Sequence, residues 1–152
     1  MEEVPNKPFS PRARVRARRT AVQAYYQWLM ARPAMSSVID EFENDRAELK
    51  KADKSYFRDL LEGMEKYSDE LDRRLGPLLD RPLEEINPVE CAILKLGLYE
   101  LSHHPELPWR VVLNESIELA KMFGAEQSHK YINGVLDRAA RQIRPEEISN
   151  TP

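Results

Sequence analysis

The sequence predicts an all-α protein of six to seven helices, and three observations carry that prediction. Glu, Leu, Ala, Arg and Lys are plentiful while Gly occurs only 5 times in 152 residues, a composition that favours helix over sheet. Apolar residues recur at spacings of three and four along most of the chain, with no alternating strand pattern and no internal repeat. The periodic stretches stop at proline and glycine punctuation, as helices do. A 152-residue chain with 41% hydrophobic residues suits one compact domain, or two small helical subdomains sharing a core. No apolar run approaches the roughly 20 residues that cross a bilayer. The N-terminal arginines are followed by no apolar stretch, so no secretory signal is expected. The one cysteine, Cys91, rules out an internal disulfide and fits a reducing cytoplasm.

Residues 1–10 (MEEVPNKPFS) hold two prolines and few core-forming residues, and read as a flexible lead. Ser10-Pro11 has the form of an N-cap with proline at the first helical position. From there to about Met30 the apolar positions Val15, Ala21, Val22, Tyr25, Trp28 and Leu29 mark an amphipathic helix, ended by Pro33. A short helix follows Ser37 with Val38, Ile39 and Phe42 inward. Asp53 is a cap for the longest helix, whose apolar positions run from Tyr56 to Leu75 until Gly76-Pro77 stops it. Residues 76–86 carry two prolines and form the joint between about 11–80 and 87–144. Asn87-Pro88-Val89-Glu90 combines a cap, a first-position proline and a carboxylate at the third position. Its helix breaks near His104-Pro105. Another runs from about Pro108 to Gly124, and the last spans about 126–143. The domain is expected to cover 11–144, with 145–152 a frayed tail. Gly97 and Gly134 fall inside helices and are read as close helix crossings.

Charge is unevenly placed. Residues 1–19 hold Lys7 and five arginines against Glu2 and Glu3, a net of +4, so a chain total of −3 leaves −7 for the rest. That is a basic arm on an acidic body, the asymmetry of a protein that meets nucleic acid locally. Arg12, Arg14, Arg16, Arg18 and Arg19 lie within eight residues, and no acid follows Glu3 before Asp40. Arg12, Arg16 and Arg19, spaced by four and three, fall on one helix face, and guanidinium forks suit phosphate oxygens. The other reading of the cluster is a solvated helix end that pairs with acids of the body. Tyr25 and Trp28 share the apolar face and are expected in the core; Tyr26 points elsewhere and suits base stacking beside a basic track. Lys130-Tyr131 offers a second basic–aromatic pair.

Catalytic constellations fail on inspection. His103-His104 precedes Pro105, and neighbouring histidines do not readily share a metal. Glu115 and Glu118 share a helix face without an accompanying HExxH or ExxH pattern. Cys91 sits among Val89, Ala92 and Ile93 as a small buried hydrophobe. No glycine-rich phosphate loop, GxSxG or paired CxxC occurs. The expectation is a non-enzyme with no metal and no cofactor.

The arginine-rich start running into Arg19-Thr-Ala-Val-Gln-Ala-Tyr-Tyr-Gln-Trp28 resembles the opening of the NusB family of bacterial transcription antitermination factors. Four further stretches resemble the family in the same order: residues 56–61 (YFRDLL), 90–101 (ECAILKLGLYEL), 112–124 (VLNESIELAKMFG) and 128–137 (SHKYINGVLD). The resemblance implies two packed three-helix subdomains. It also implies a heterodimer with NusE, a protein of the small ribosomal subunit, and joint recognition of the boxA element of nascent RNA. The complex would then join RNA polymerase and other Nus factors to support read-through of ribosomal RNA operons. By position, Arg14, Arg16 and Arg18 match the family's basic arm, Tyr26 its tyrosine after Ala-Val-Gln-Ala, and Lys130-Tyr131 the Lys-aromatic pair before Asn-Gly. Glu90 and Lys95, with Tyr99 on the same helix, match the expected partner surface. Gln127 stands where the family pattern has an acid. NusB-like domains also precede the catalytic domain of certain ribosomal RNA methyltransferases, for which 152 residues leave no room. A self-associating RNA-binding scaffold without boxA specificity is the alternative, with a homodimer formed through the joint or the 90–101 helix.

Overall fold

The computed structural model describes residues 10–45, 47–124 and 127–150. The flexible lead expected over 1–10 lies outside the described residues except for Ser10. Eight α-helices and no strand are found among the described residues: α1 (Pro11–Ala31), α2 (Met35–Asp45), α3 (Lys54–Lys66), α4 (Ser68–Leu75), α5 (Pro88–His103), α6 (Trp109–Phe123), α7 (Ser128–Ile143) and α8 (Pro145–Ser149). No helix among them is long and apolar enough to cross a membrane.

The starts follow the caps read from the sequence. Ser10 accepts from Ala13 N–H at 3.1 Å, Asp53 from Tyr56 N–H at 3.0 Å, and Asn87 from Val89 and Glu90 N–H at 2.9 and 3.4 Å. Each satisfies donors that the first helical turn leaves open. Glu90 does not complete a capping box, because its carboxylate accepts instead from Ser128 Oγ at 2.5 Å and ties α5 to α7.

Helix α5 is the hub. From Cys91 to Leu101 every residue is buried, and α1, α3, α4, α6 and α7 all pack on it. A helix apolar all round belongs inside, and the core is one continuous cluster from Ala17 to Ala140. This leaves no exposed apolar face on α5 through which two copies would pair.

Two sequence expectations change. The helix expected to continue through residue 75 breaks at Tyr67, whose backbone leaves helical geometry (φ −101°, ψ 19°). The bend lets the Tyr67 ring stack on His103 at 3.9 Å, with Tyr99 beyond at 6.4 Å. The tail expected to fray from 145 is helical to Ser149, because Arg144 is buried beneath it. Its guanidinium donates to the carbonyls of Glu100, Leu101, Leu107 and His104, capping the C-terminal end of α5, and pairs with Glu147 at 2.8 Å. Glu147 in turn accepts from Trp109 N–H at 2.8 Å and caps α6.

The two glycines read as crossings differ. At Gly97 an added Cβ would lie 2.8 Å from Leu136 Cδ1 and Ser116 Oγ, so α6 and α7 do press against it. At Gly134 it would meet only Arg138 Nη1 at 3.7 Å, ordinary contact, and no crossing needs the glycine. The tightest position is Gly63, where a Cβ would overlap the Tyr99 ring. Gly63→Ala is therefore expected to destabilise by about 1–3 kcal/mol through overpacking, despite alanine's better helix propensity. Urea unfolding measures this, and an unchanged midpoint would mean that the Tyr99 ring swings away without cost.

Candidate nucleic-acid interface

Five arginines in the first turns of α1 do not share one fate, because a helix turns each residue by about 100°. Arg18 is only 4% exposed and faces α5, where Nε donates to Glu100 Oε2 at 2.8 Å. Tyr56 from α3 donates its hydroxyl to the same oxygen. Glu100 is fully buried, and its Oε1 has no hydrogen-bond partner among the described residues. Burial opposes the Arg18 charge, but Glu100 outweighs it and the pKa is raised; burial and the Glu100 charge push the Tyr56 phenol up as well. One turn earlier, Arg14 lies 4.0 Å over the Tyr56 ring and 3.6 Å from Asp53. Arg18 is thus withdrawn from the phosphate-facing set: it is a fastening inside the core.

Arg12, Arg16 and Arg19 face outward, and the stripe they begin continues at helical spacing through Gln23, Tyr26 and Met30. None of these six residues is buried; Tyr26 is 39% and Met30 61% exposed. Tyr25 and Trp28, by contrast, are core residues with ring centroids 5.3 Å apart. Beside the stripe runs a groove of about 250 Å³ between α1 and α6, lined by Val15, Arg18 and Arg19 on one wall and Glu115, Glu118, Leu119 and Met122 on the other. The arginine edge is therefore bordered by carboxylates.

The second pair is carried by a different helix, since α7 packs on α5 and α6. Lys130 is exposed; Tyr131 is half-buried, donates to Asp80 Oδ1 at 3.1 Å, and has the Arg81 guanidinium 5.2 Å over its ring. Asp80 and Arg81 went unread in the sequence, which offered only a proline-rich joint at that point. Gln127 is exposed just before α7 and caps nothing with its side chain.

The expected partner surface on α5 is largely internal. Lys95 is 3% exposed and pairs with Asp72 at 2.6 Å, while Tyr99 is buried and donates to Asp59 at 3.0 Å. Both belong to the packing of α5 against α3 and α4, and only Glu90 keeps partial exposure. His103 meets Glu70 at 3.3 Å, and His104 lies between Asp59 and Glu106 at 2.6 and 2.8 Å. No cluster able to hold a metal ion occurs among the described residues.

The fold is an all-α body wrapped around one buried helix, with an arginine stripe on its first helix. The chain belongs to the NusB family, whose model matches residues 15–141. It is 46% identical over 144 residues to the transcription antitermination protein NusB of Marinomonas sp. (strain MWYL1), covering 94% of this chain and 83% of that one. It is 50% identical over 144 residues to the NusB of Alcanivorax borkumensis, covering 95% of each. Among solved structures, NusB of T. maritima superposes with a TM-score of 0.75 at 27% identity, over 89% of this chain and 96% of that one. The NusB of a crystal structure of the antitermination factors NusB and NusE in complex with dsRNA has the same fold, with a TM-score of 0.73 at 23% identity over 88% and 99% of the two chains. The family is one of transcription antitermination factors, not of enzymes.

The buried pair sets a stability expectation. Glu100→Gln leaves Arg18 buried without its counter-charge and should cost about 3–5 kcal/mol. Pairing it with Arg18→Met should restore much of the loss, since the stranded charge is then gone from the core. Chemical denaturation of both variants checks this, and a single variant as stable as the parent would show that the pair is not a fastening.

Proposed function

We propose that this chain binds the boxA element of nascent RNA jointly with NusE, and that the complex joins RNA polymerase and other Nus factors in the cytoplasm to keep transcription of ribosomal RNA operons processive. The observation that carries the reading is the outward stripe of α1, in which Arg12, Arg16 and Arg19 lead at helical spacing to the exposed ring of Tyr26. Guanidiniums along one edge take phosphates, and an exposed ring further down the same face takes a base. Family membership supports it, as does the neighbour of the same fold that is solved with NusE and dsRNA. Glu90 at the start of α5 is the residue of the expected partner surface that a basic ribosomal protein can reach. Lys130 and Tyr131 extend the RNA-facing set.

The stripe makes RNA binding an electrostatic event with a stacking supplement. Arg12, Arg16, Arg19 and Lys130 together neutralise about four phosphates, so the log–log salt slope on single strands should be near −3. Fluorescence anisotropy of a boxA RNA and a scrambled control, with and without NusE, measures it. Alanine at Arg12, Arg16 and Arg19 should bring the slope to about −1 without unfolding the protein, and Tyr26→Ala should cost about 1–3 kcal/mol of RNA affinity. Equal, NusE-independent binding of both RNAs would overturn the boxA reading; a flat salt dependence would overturn the role of the stripe.

A further inference from the structure

The groove between α1 and α6 runs beside the arginine stripe, and the binding described above leaves it without a part. Its lining is apolar at Val15, Leu119 and Met122, the last 50% exposed. Its two walls carry opposite charge, Arg19 on α1 and Glu115 and Glu118 on α6. Arg18 also lines it but is committed to Glu100 at 2.8 Å. Among the described residues no hydrogen bond or ion pair crosses the groove. Arg19 Nε is enclosed and has no acceptor. The half-buried Glu115 has no donor, and Glu118 has only Lys121 of its own helix at 3.8 Å. The groove thus holds an unused donor on one wall and unused acceptors on the other.

A strand held by the stripe can place only one kind of group in this groove. The two carboxylates repel phosphate, so the backbone stays on the arginines and a base is what turns inward. The volume of about 250 Å³ lies under the roughly 300–1,000 Å³ of sites that enclose a larger ligand, and it suits one flat ring system on an apolar floor. A guanidinium only donates hydrogen bonds and a carboxylate only accepts them. The base must therefore offer acceptors to Arg19 and donors to the glutamates. Guanine does both at once: N7 and O6 accept side by side from an arginine, while N1–H and the N2 amino group donate side by side to a carboxylate. Adenine and cytosine bring a single amino group, and uracil a single N3–H.

We propose that the α1–α6 groove is a guanine-reading site: a base turned out of a single strand lies on Val15, Leu119 and Met122, with Arg19 donating to its N7 and O6 edge and Glu115 or Glu118 accepting from N1–H and the N2 amino group. Splayed bases of single strands are read on these edges. Arg12 and Arg16 hold the flanking phosphates, and Arg19 adds its charge to theirs. The proposal rests on the RNA-binding reading above and gives it a source of base preference that phosphate contacts lack.

Competition binding tests it. Short oligouridine strands with one central guanosine, inosine, adenosine or cytidine, and the all-uridine strand, displace labelled boxA RNA from the NusE-saturated protein, read by fluorescence anisotropy. For the parent, the guanosine strand is expected to bind about tenfold more tightly than the all-uridine strand. Inosine, which lacks the N2 amino group, is expected to lose about threefold or more of that gain. The double variant Glu115→Gln with Glu118→Gln is expected to bring the guanosine preference below about twofold, while affinity for the all-uridine strand holds or rises as charge that repels phosphate is removed. Neither glutamate is in the core, so its thermal unfolding midpoint should stay at the parent's. Glu62→Gln, on α3 beside Arg58, is expected to keep the preference. A parent that binds boxA RNA without preferring guanosine, or a preference that survives the double variant, overturns the guanine site alone. A parent without RNA binding overturns the site together with the reading beneath it. A double variant that loses unfolding midpoint and all-uridine affinity together makes the carboxylates structural and overturns the site. So does a loss confined to NusE affinity in a direct titration, which assigns the groove to protein.

Discussion

A carboxylate with no exposure to water governs how this molecule is assembled. Glu100 sits in the middle of the core, and a buried charge is tolerated only when opposite charge and hydrogen bonds surround it. Arg18 comes from α1 and the Tyr56 hydroxyl from α3 to the same carboxylate oxygen. The backbone carbonyl of Glu100 accepts from Arg144 Nη2 at 3.2 Å, which brings in the end of α7. One residue therefore fixes the rotation of the first helix, the approach of the third and the docking of the last. With Arg18 held inward, Arg14 one turn away follows it onto the Tyr56 ring. Arg12, Arg16 and Arg19 then fall on the outer side of the helix, Arg19 at the edge of the groove toward Glu115 and Glu118. The outward stripe is thus a consequence of the buried pair.

The same economy runs along α5. Its sequence is apolar on every side, yet Lys95, Tyr99 and Glu100 interrupt it, and each meets a partner from a different neighbour: Asp72 of α4, Asp59 of α3 and Arg18 of α1. Apolar contact is tolerant of small rotations, whereas a buried ion pair or hydrogen bond is not. Three polar fastenings at three angles hold α5 in one register against helices that would otherwise slide. Gly63 belongs to the same arrangement, since only a helix without a side chain there admits the Tyr99 ring to reach Asp59.

What the sequence disclosed and what it withheld divide along that line. Helix starts at Pro11, Lys54 and Pro88 were legible because caps are local chemistry. The all-α class and the inward positions Val38, Ile39 and Phe42 were legible because periodicity is local too. The break at Tyr67 was not, because the ring it serves to stack on belongs to a histidine 36 residues later in the chain. Nor was the split of the arginine cluster, which depends on a carboxylate 82 residues away from Arg18. The pairing reading weighed for that cluster applies to Arg14 and Arg18, which meet Asp53 and Glu100, while Arg12, Arg16 and Arg19 stay unburied. Lys95 and Tyr99 were assigned to a surface on resemblance, although the unbroken apolar run around them already argued for burial. Gly97 and Gly134 look alike in sequence, and only packing tells the one pressed by two helices from the one in ordinary contact with Arg138.

The arrangement of charge says why the RNA binding proposed for this chain would call for a partner. Three outward arginines neutralise at most about three phosphates, and electrostatic contact of that size falls off steeply at physiological salt and carries no base preference. The stripe is also bordered by Glu115 and Glu118 across the groove, which repel a strand that strays from it. The Lys130 and Tyr131 patch is carried by a different helix on the shared α5 scaffold. A single strand touching both patches gains from each only if the span between them is held at the right length, so two weak contacts become one strong one through geometry. A second protein that completes the track between them would raise affinity without any new base contact on this chain. It would do so most for the one RNA whose bases fall in register with the two rings. In such a design the burial of Arg18 is no loss to binding: a fourth free arginine would strengthen attachment to every RNA alike, whereas a rigid α1 sharpens the distinction among them.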